Sequence, residues 1–128
     1  DAQIGEIFGQ VDDAITLSPP TIKLKKDELK TVTLILANIG SSDITNVQAR
    51  RDDTNSDLDG LQCLFADTGG TVQSQAYPLI KSDHEVKITM YIKDEDASLG
   101  IYTCTIQIPA FASAGLESTK SLVIERVV

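Results

Sequence analysis

Apolar and polar side chains alternate along this chain with a period of two, a pattern that only a sheet with one buried face accommodates. From Glu85 to Ile92, Val86, Ile88, Met90 and Ile92 share one face, and Glu85, Lys87, Thr89 and Tyr91 the other. From Thr31 to Asn38, Val32, Leu34 and Leu36 alternate with Thr31 and Thr33. From Ile101 to Ile108, Tyr102, Cys104, Ile106 and Ile108 point inward, while Thr103, Thr105 and Gln107 are expected to face water. Weaker strand signals cover Ala14–Leu17, Ile44–Arg50, Leu61–Phe65, Val72–Tyr77 and Ser121–Val128. Turn-forming residues separate them at Ser18-Pro19-Pro20, Asn38 to Ser42, Asp67 to Gly70, and Ala112 to Gly115. The spacing predicts an all-β fold, a two-sheet sandwich of seven or eight short strands over residues 13–128.

Residues 1–12 read differently. Ile4, Ile7, Phe8, Val11 and Ile15 recur at three- and four-residue steps, which suits one face of a helix. Gly5 and Gly9 each weaken a helix by roughly 1 kcal/mol against alanine. The segment is therefore either an irregular or extended leader packed on the sandwich, a helical stub, or a strand donated to a neighbouring subunit. In the latter two cases Ile4, Ile7, Phe8 and Val11 are the expected assembly contacts.

Charge and composition remove several function classes. With 19 acidic and 11 basic side chains the net charge is −8, the wrong sign for binding nucleic-acid phosphates. No apolar run approaches the roughly 20 residues of a membrane helix, so any membrane contact is expected through a segment outside this chain, which opens on Asp1 rather than Met. Two cysteines, Cys63 and Cys104, and one histidine, His84, are too few for a zinc site of about four such ligands, and they form no C-x-x-C motif.

Two stretches carry a family resemblance. Thr31 to Val47, TVTLILANIGSSDITNV, resembles the B–C hairpin of prokaryotic immunoglobulin-like domains of the CARDB type, found in archaeal and bacterial surface proteins. Leu99 to Ile108, LGIYTCTIQI, is similar to strand F of the same group, with Tyr102 in the position of a tyrosine corner. Together they span about a fifth of the chain. The resemblance implies an immunoglobulin-like sandwich and an extracellular, cell-surface setting. The chain departs from it in having Lys25-Lys26-Asp27-Glu28 where a Pro-Gly turn is usual, no cysteine in strand B and no tryptophan. In the topology so implied, Cys63 and Cys104 both point inward on strands that come near one another. They form either a disulfide or two buried thiols, and a disulfide favours an oxidising compartment.

The richest polar stretch is Arg50 to Gly60, RRDDTNSDLDG. Its Asn55-x-Asp57-x-Asp59-Gly60 matches the opening of an oxygen-rich calcium loop, but Ala66 stands where the bidentate glutamate would be. In the implied fold the loop holding Asp94, Glu95 and Asp96 lies at the same end. A weak calcium site is thus expected from Asn55, Asp57, Asp59, Asp94 and Asp96, against a solvated acidic turn partly neutralised by Lys23, Lys25 and Lys26. No other cofactor is expected.

Ser82-Asp83-His84 is a sequence neighbourhood rather than a convergent triad, and no G-x-S-x-G elbow occurs. With no tryptophan, a sugar-stacking cleft is hard to assemble. The chain reads as a non-enzyme: a structural or interaction module of a filament, pilus or envelope layer, partnered by copies of itself or by other surface subunits. The alternative is a ligand- or glycan-binding accessory module using the weak calcium site.

Overall fold

The computed structural model describes residues 2–7 and 13–128. In chain order the elements are β1 (Ala2–Glu6), β2 (Ile15–Ser18), β3 (Thr21–Leu24), β4 (Leu29–Ala37), β5 (Ile44–Val47), β6 (Arg50–Arg51), β7 (Leu61–Phe65), β8 (Tyr77–Ile80), β9 (His84–Asp94), β10 (Gly100–Gln107), α1 (Pro109–Ser113) and β11 (Thr119–Arg126). Two sheets face each other. The first runs β1–β9–β4–β2, with β7 also on β9; the second runs β3–β11–β10–β6; β5 and β8 form a separate two-stranded ribbon.

The period-two pattern explains the core. Val32, Leu34 and Leu36 of β4 lie opposite Met90, Ile88 and Val86 of β9, and all six are buried. Cys104 of β10 pairs with Leu122 of β11, and Tyr102 with Ile124, closing the core from the second sheet. After β2 the chain passes Pro19-Pro20, where no proline can donate to a ladder, and changes sheet: β2 is antiparallel to β4, whereas β3 runs parallel to β11. One end is closed by α1, a single turn started by Pro109, whose Phe111 is fully buried.

Eleven strands appear among the described residues where seven or eight were expected, for three reasons. The Ile44–Arg50 strand breaks at Gln48-Ala49 into β5, which pairs with β8, and β6, which pairs with β10. The second addition is β3, where Ile22 and Leu24 alternate inward with exposed Thr21 and Lys23 over four residues. The third addition is β1. Ala2–Glu6 is not helical; it is a strand antiparallel to β9 of the same chain, with Ala2 opposite Ile88 and Glu6 opposite His84. Two further expectations are corrected. The strand expected at Val72–Tyr77 lies at Tyr77–Ile80, since residues 71–73 instead bridge to Phe65 and Arg50. Thr105, expected to face water, is buried beneath residues 55 and 56: its N–H donates to Ser56 Oγ (2.9 Å) and its hydroxyl to Asn55 O (2.7 Å).

Candidate functional site

Three places carry the residues singled out by the sequence. The first is the centre of the sandwich. Cys63 on β7 and Cys104 on β10 are fully buried and bonded to each other, with Cα atoms 6.5 Å apart. The bond joins the two sheets across a sequence separation of 41 residues. Beside it, Tyr102 donates its hydroxyl to Ser98 O at 2.7 Å, so the turn before β10 is tied to the strand it leads into, as in a tyrosine corner.

The second place is the acidic end. The β3–β4 turn, the loop before β7 and the loop after β9 meet there, held by main-chain bonds: Asp94 N–H donates to Glu28 O, and Glu95 and Asp96 N–H both donate to Gly60 O. Gly60 has φ +82°, and a Cβ there would stand 2.6 Å from Ala97 N, so only glycine fits. Asp94 sits at the inward end of β9, 1% exposed. Its carboxylate accepts the N–H of Asp27 (2.9 Å) and of Ala97 (3.1 Å) and lies 3.1 Å from Arg126 Nε. Arg126, at the inward end of β11, is 8% exposed and donates through Nη1 to Val127 O. Its Nε faces Asp94 as a charge, outside hydrogen-bond alignment. The Asp27 N–H above all, with the Ala97 N–H and the Arg126 charge, holds the Asp94 carboxyl below the usual carboxylate range, against the opposing effect of burial.

That arrangement changes the meaning of the acidic residues. Of the five calcium candidates, Asp94 is committed to Arg126 and two backbone donors. Asn55 donates its side-chain amide to Asp52 (2.7 Å), and the backbone of Asp57 bridges to Thr103. Asp57, Asp59 and Asp96 are exposed. Among the described residues no group of three or more His, Cys, Asp or Glu side chains is placed to hold a metal ion. The ion pairs among the described residues are Arg51–Asp53, Lys120–Glu117 and Arg126–Asp94, so Lys23, Lys25 and Lys26 are not the groups that neutralise this end.

The third place is the rim around β9. Ser82 donates its hydroxyl to Gly40 O, and His84 Nδ1 lies 2.9 Å from Ser82 O, so the serine hydroxyl and the imidazole are not paired as nucleophile and base. Along the outer edge of β9, β1 occupies residues 84–88 and β7 occupies residues 90–94, end to end. Ile4 lies opposite Val86 and is 51% exposed, and Ile7 is half-buried; Phe8 and Val11 lie outside the described residues. An open groove of about 830 Å³ separates β5 from α1, bordered by Asp43, Thr45, Asn46, Ser113 and Leu116.

Sequence reasoning missed two structural residues. Asn38 is fully buried; its amide donates to Ser42 O and Ile80 O (2.9 Å each) and its oxygen accepts the Gly40 N–H, organising the turn after β4. Asp67 accepts the Tyr77 hydroxyl at 2.6 Å. Burial, and then that bond, raise the Tyr77 phenol above its ordinary value.

No family model matches this chain, and no curated protein sequence matches it. Its fold, however, recurs in solved structures. The CARDB domain of PF1109 from Pyrococcus furiosus, solved in complex with di-metal ions, is 10% identical; the match covers 99% of this chain and 88% of that one at a TM-score of 0.54. A domain assigned as a cell surface protein of Methanosarcina acetivorans is 16% identical, with 90% of each chain covered at 0.53. Domains 4 and 5 of the S-layer protein SbsC are 15% identical, with 91% of this chain and 46% of that one covered at 0.52, so this chain spans about half of that pair. An MSP family member from C. elegans, WR4, is 12% identical over 91% of this chain and 98% of that one at 0.54. The chain therefore carries the immunoglobulin-like β-sandwich seen in CARDB, cell-surface and S-layer domains.

Proposed function

We propose that this chain is an extracellular, non-enzymatic structural module of a cell-surface assembly: a subunit or domain of a filament, pilus or envelope layer that associates with its own copies or with other surface subunits. The observation that carries the reading is the fully buried Cys63–Cys104 bond, which pins sheet to sheet in a fold shared with surface-layer domains. Such bonds persist in oxidising, extracellular compartments and are rare where thiols are kept reduced. Labelling intact source cells with a membrane-impermeant amine reagent tests it. Lysines such as Lys87 and Lys93, on the exposed face of β9, should be modified without lysis. Modification only after lysis would sink the proposal.

The exposed Asp57, Asp59 and Asp96 leave room for the alternative, a ligand- or glycan-binding module with a weak calcium site. A calcium-dependent rise in melting temperature, abolished in Asp57→Asn, is the result that would favour it.

A further inference from the structure

The outer edge of β9 is served by two strands of different standing. β7 covers residues 90–94 and is fixed by the Cys63–Cys104 bond; the Cys63 carbonyl is capped by Arg51 Nη1 (3.1 Å), and the Phe65 N–H is taken up by Thr71 O. This half of the edge is closed. β1 covers residues 84–88 by main-chain pairing, and its Ile4, Gly5 and Glu6 lie outside the buried core: Ile4 is half exposed, and a Cβ at Gly5 would meet nothing within 4 Å. The Ile7 N–H to Asp83 O bond (2.9 Å) sets the alternation of this ladder, so Glu85 and Lys87 are the β9 residues that turn their N–H and C=O groups toward β1.

Without β1 those main-chain groups of Glu85 and Lys87 become an open edge, the standard template for accepting another strand, while the buried core described from Ala14 to Ile124 stays whole. Residues 7–14 join β1 to β2, which lies on the far side of β9 and β4. That crossing is about 14 Å at the usual strand spacing, and eight residues fully extended reach about 26 Å, so the length of the connection permits pairing in cis without requiring it.

We propose that the His84–Ile88 edge of β9 is a strand-acceptor site whose partner is β1 of a second copy of this chain. The ladder made in trans is the same as the ladder made in cis, so exchange replaces one set of bonds by an identical set. What is lost is the tethering entropy, which high local concentration in a surface array offsets. A donor strand that leaves its own edge also opens that edge to the next copy. This deepens the surface-module reading and rests on it only for the setting in which copies are crowded.

The test mixes two full-length proteins, one carrying Gln3→Cys and the other Lys87→Cys, positions opposite one another in the β1–β9 register. They are refolded together and oxidised. The expected result is a covalent dimer of twice the 13.8 kDa monomer mass in the mixture. It should be lost when Gly5→Pro is added to the Gln3→Cys protein, since proline removes a ladder N–H. A single chain carrying both cysteines should close its bond internally, showing that the two positions can bond. If that chain closes and the mixture yields no mixed dimer, the proposal is overturned. If the wild-type protein still self-associates in that case, the surface-module reading stands and only strand exchange falls.

Discussion

Removing the central disulfide should be the most informative single perturbation of this fold. The bond closes a loop of 41 residues in sequence separation. Cross-linking a loop of that length restricts the unfolded chain by about 13 cal/mol/K on the chain-entropy model, which is about 4 kcal/mol at 25 °C. A domain of 128 residues unfolds with an entropy of roughly 0.27 kcal/mol/K, so that loss corresponds to about 15 °C in Tm. The assay is thermal unfolding by circular dichroism of the wild type and of Cys63→Ala/Cys104→Ala, with a urea titration for the free energy. Because both sulfurs are fully buried, reductant should act on the wild type only under conditions that unfold it. A fall in Tm of less than about 5 °C would refute the reasoning, by showing that the unfolded chain is not constrained as the loop length implies. Two titratable thiols in unreduced, denatured wild type would refute it more simply.

The other perturbations probe the acidic end and the corner. Gly60→Ala places a Cβ against Ala97 N in a left-handed backbone and should cost roughly 1–3 kcal/mol in urea unfolding. Tyr102→Phe deletes the bond to Ser98 O and should cost about 1 kcal/mol in the same measurement, without loss of the disulfide. For Asp94 the carboxyl is held below its ordinary 3.8, so its contribution to stability is fully present above that pH and is lost as pH falls through the lower, folded value. Asp94→Asn should therefore melt below wild type at pH 7, with the gap closing only below about pH 3.8 in a Tm series against pH. Tyr77, whose phenol is raised, should remain protonated at pH values where an ordinary tyrosine ionises near 10, read by absorbance at alkaline pH.

The strands β4, β9 and β10 were legible because their alternation is local: Val32, Leu34 and Leu36, the series Val86 to Ile92, and Cys104 and Ile106 are buried at every second position. The same alternation marks two residues as inward that were not read so. Asp94 continues the series Val86, Ile88, Met90, Ile92, and Arg126 continues Leu122, Ile124, so each sits at an inward position at the end of its strand. A buried carboxylate and a buried guanidinium at such positions need one another, since either alone would be costly to bury. Read by type rather than by phase, Asp94 joined the exposed acids as a cation ligand.

The leader was legible only in part, as an extended segment on the sandwich among other readings, for the opposite reason. Its strand character comes from the half of the β9 edge that β7 leaves uncovered, a non-local fact, whereas the three- and four-residue spacing of Ile4, Ile7, Phe8 and Val11 points locally to a helix. Thr105 was misread because periodicity reports which face of a strand a residue lies on. It does not report that residues 55 and 56 cover that face.

The compartment in which this chain works is recorded in the oxidation state of its two cysteines. Quenching source cells with acid, alkylating every free thiol at once and measuring the Cys63 and Cys104 peptides by mass spectrometry tests that most directly. The account predicts that the native chain carries the two cysteines joined and unalkylated, on protein that membrane-impermeant reagents reach in intact cells. Finding both cysteines alkylated, on protein shielded until the cells are broken, would contradict it.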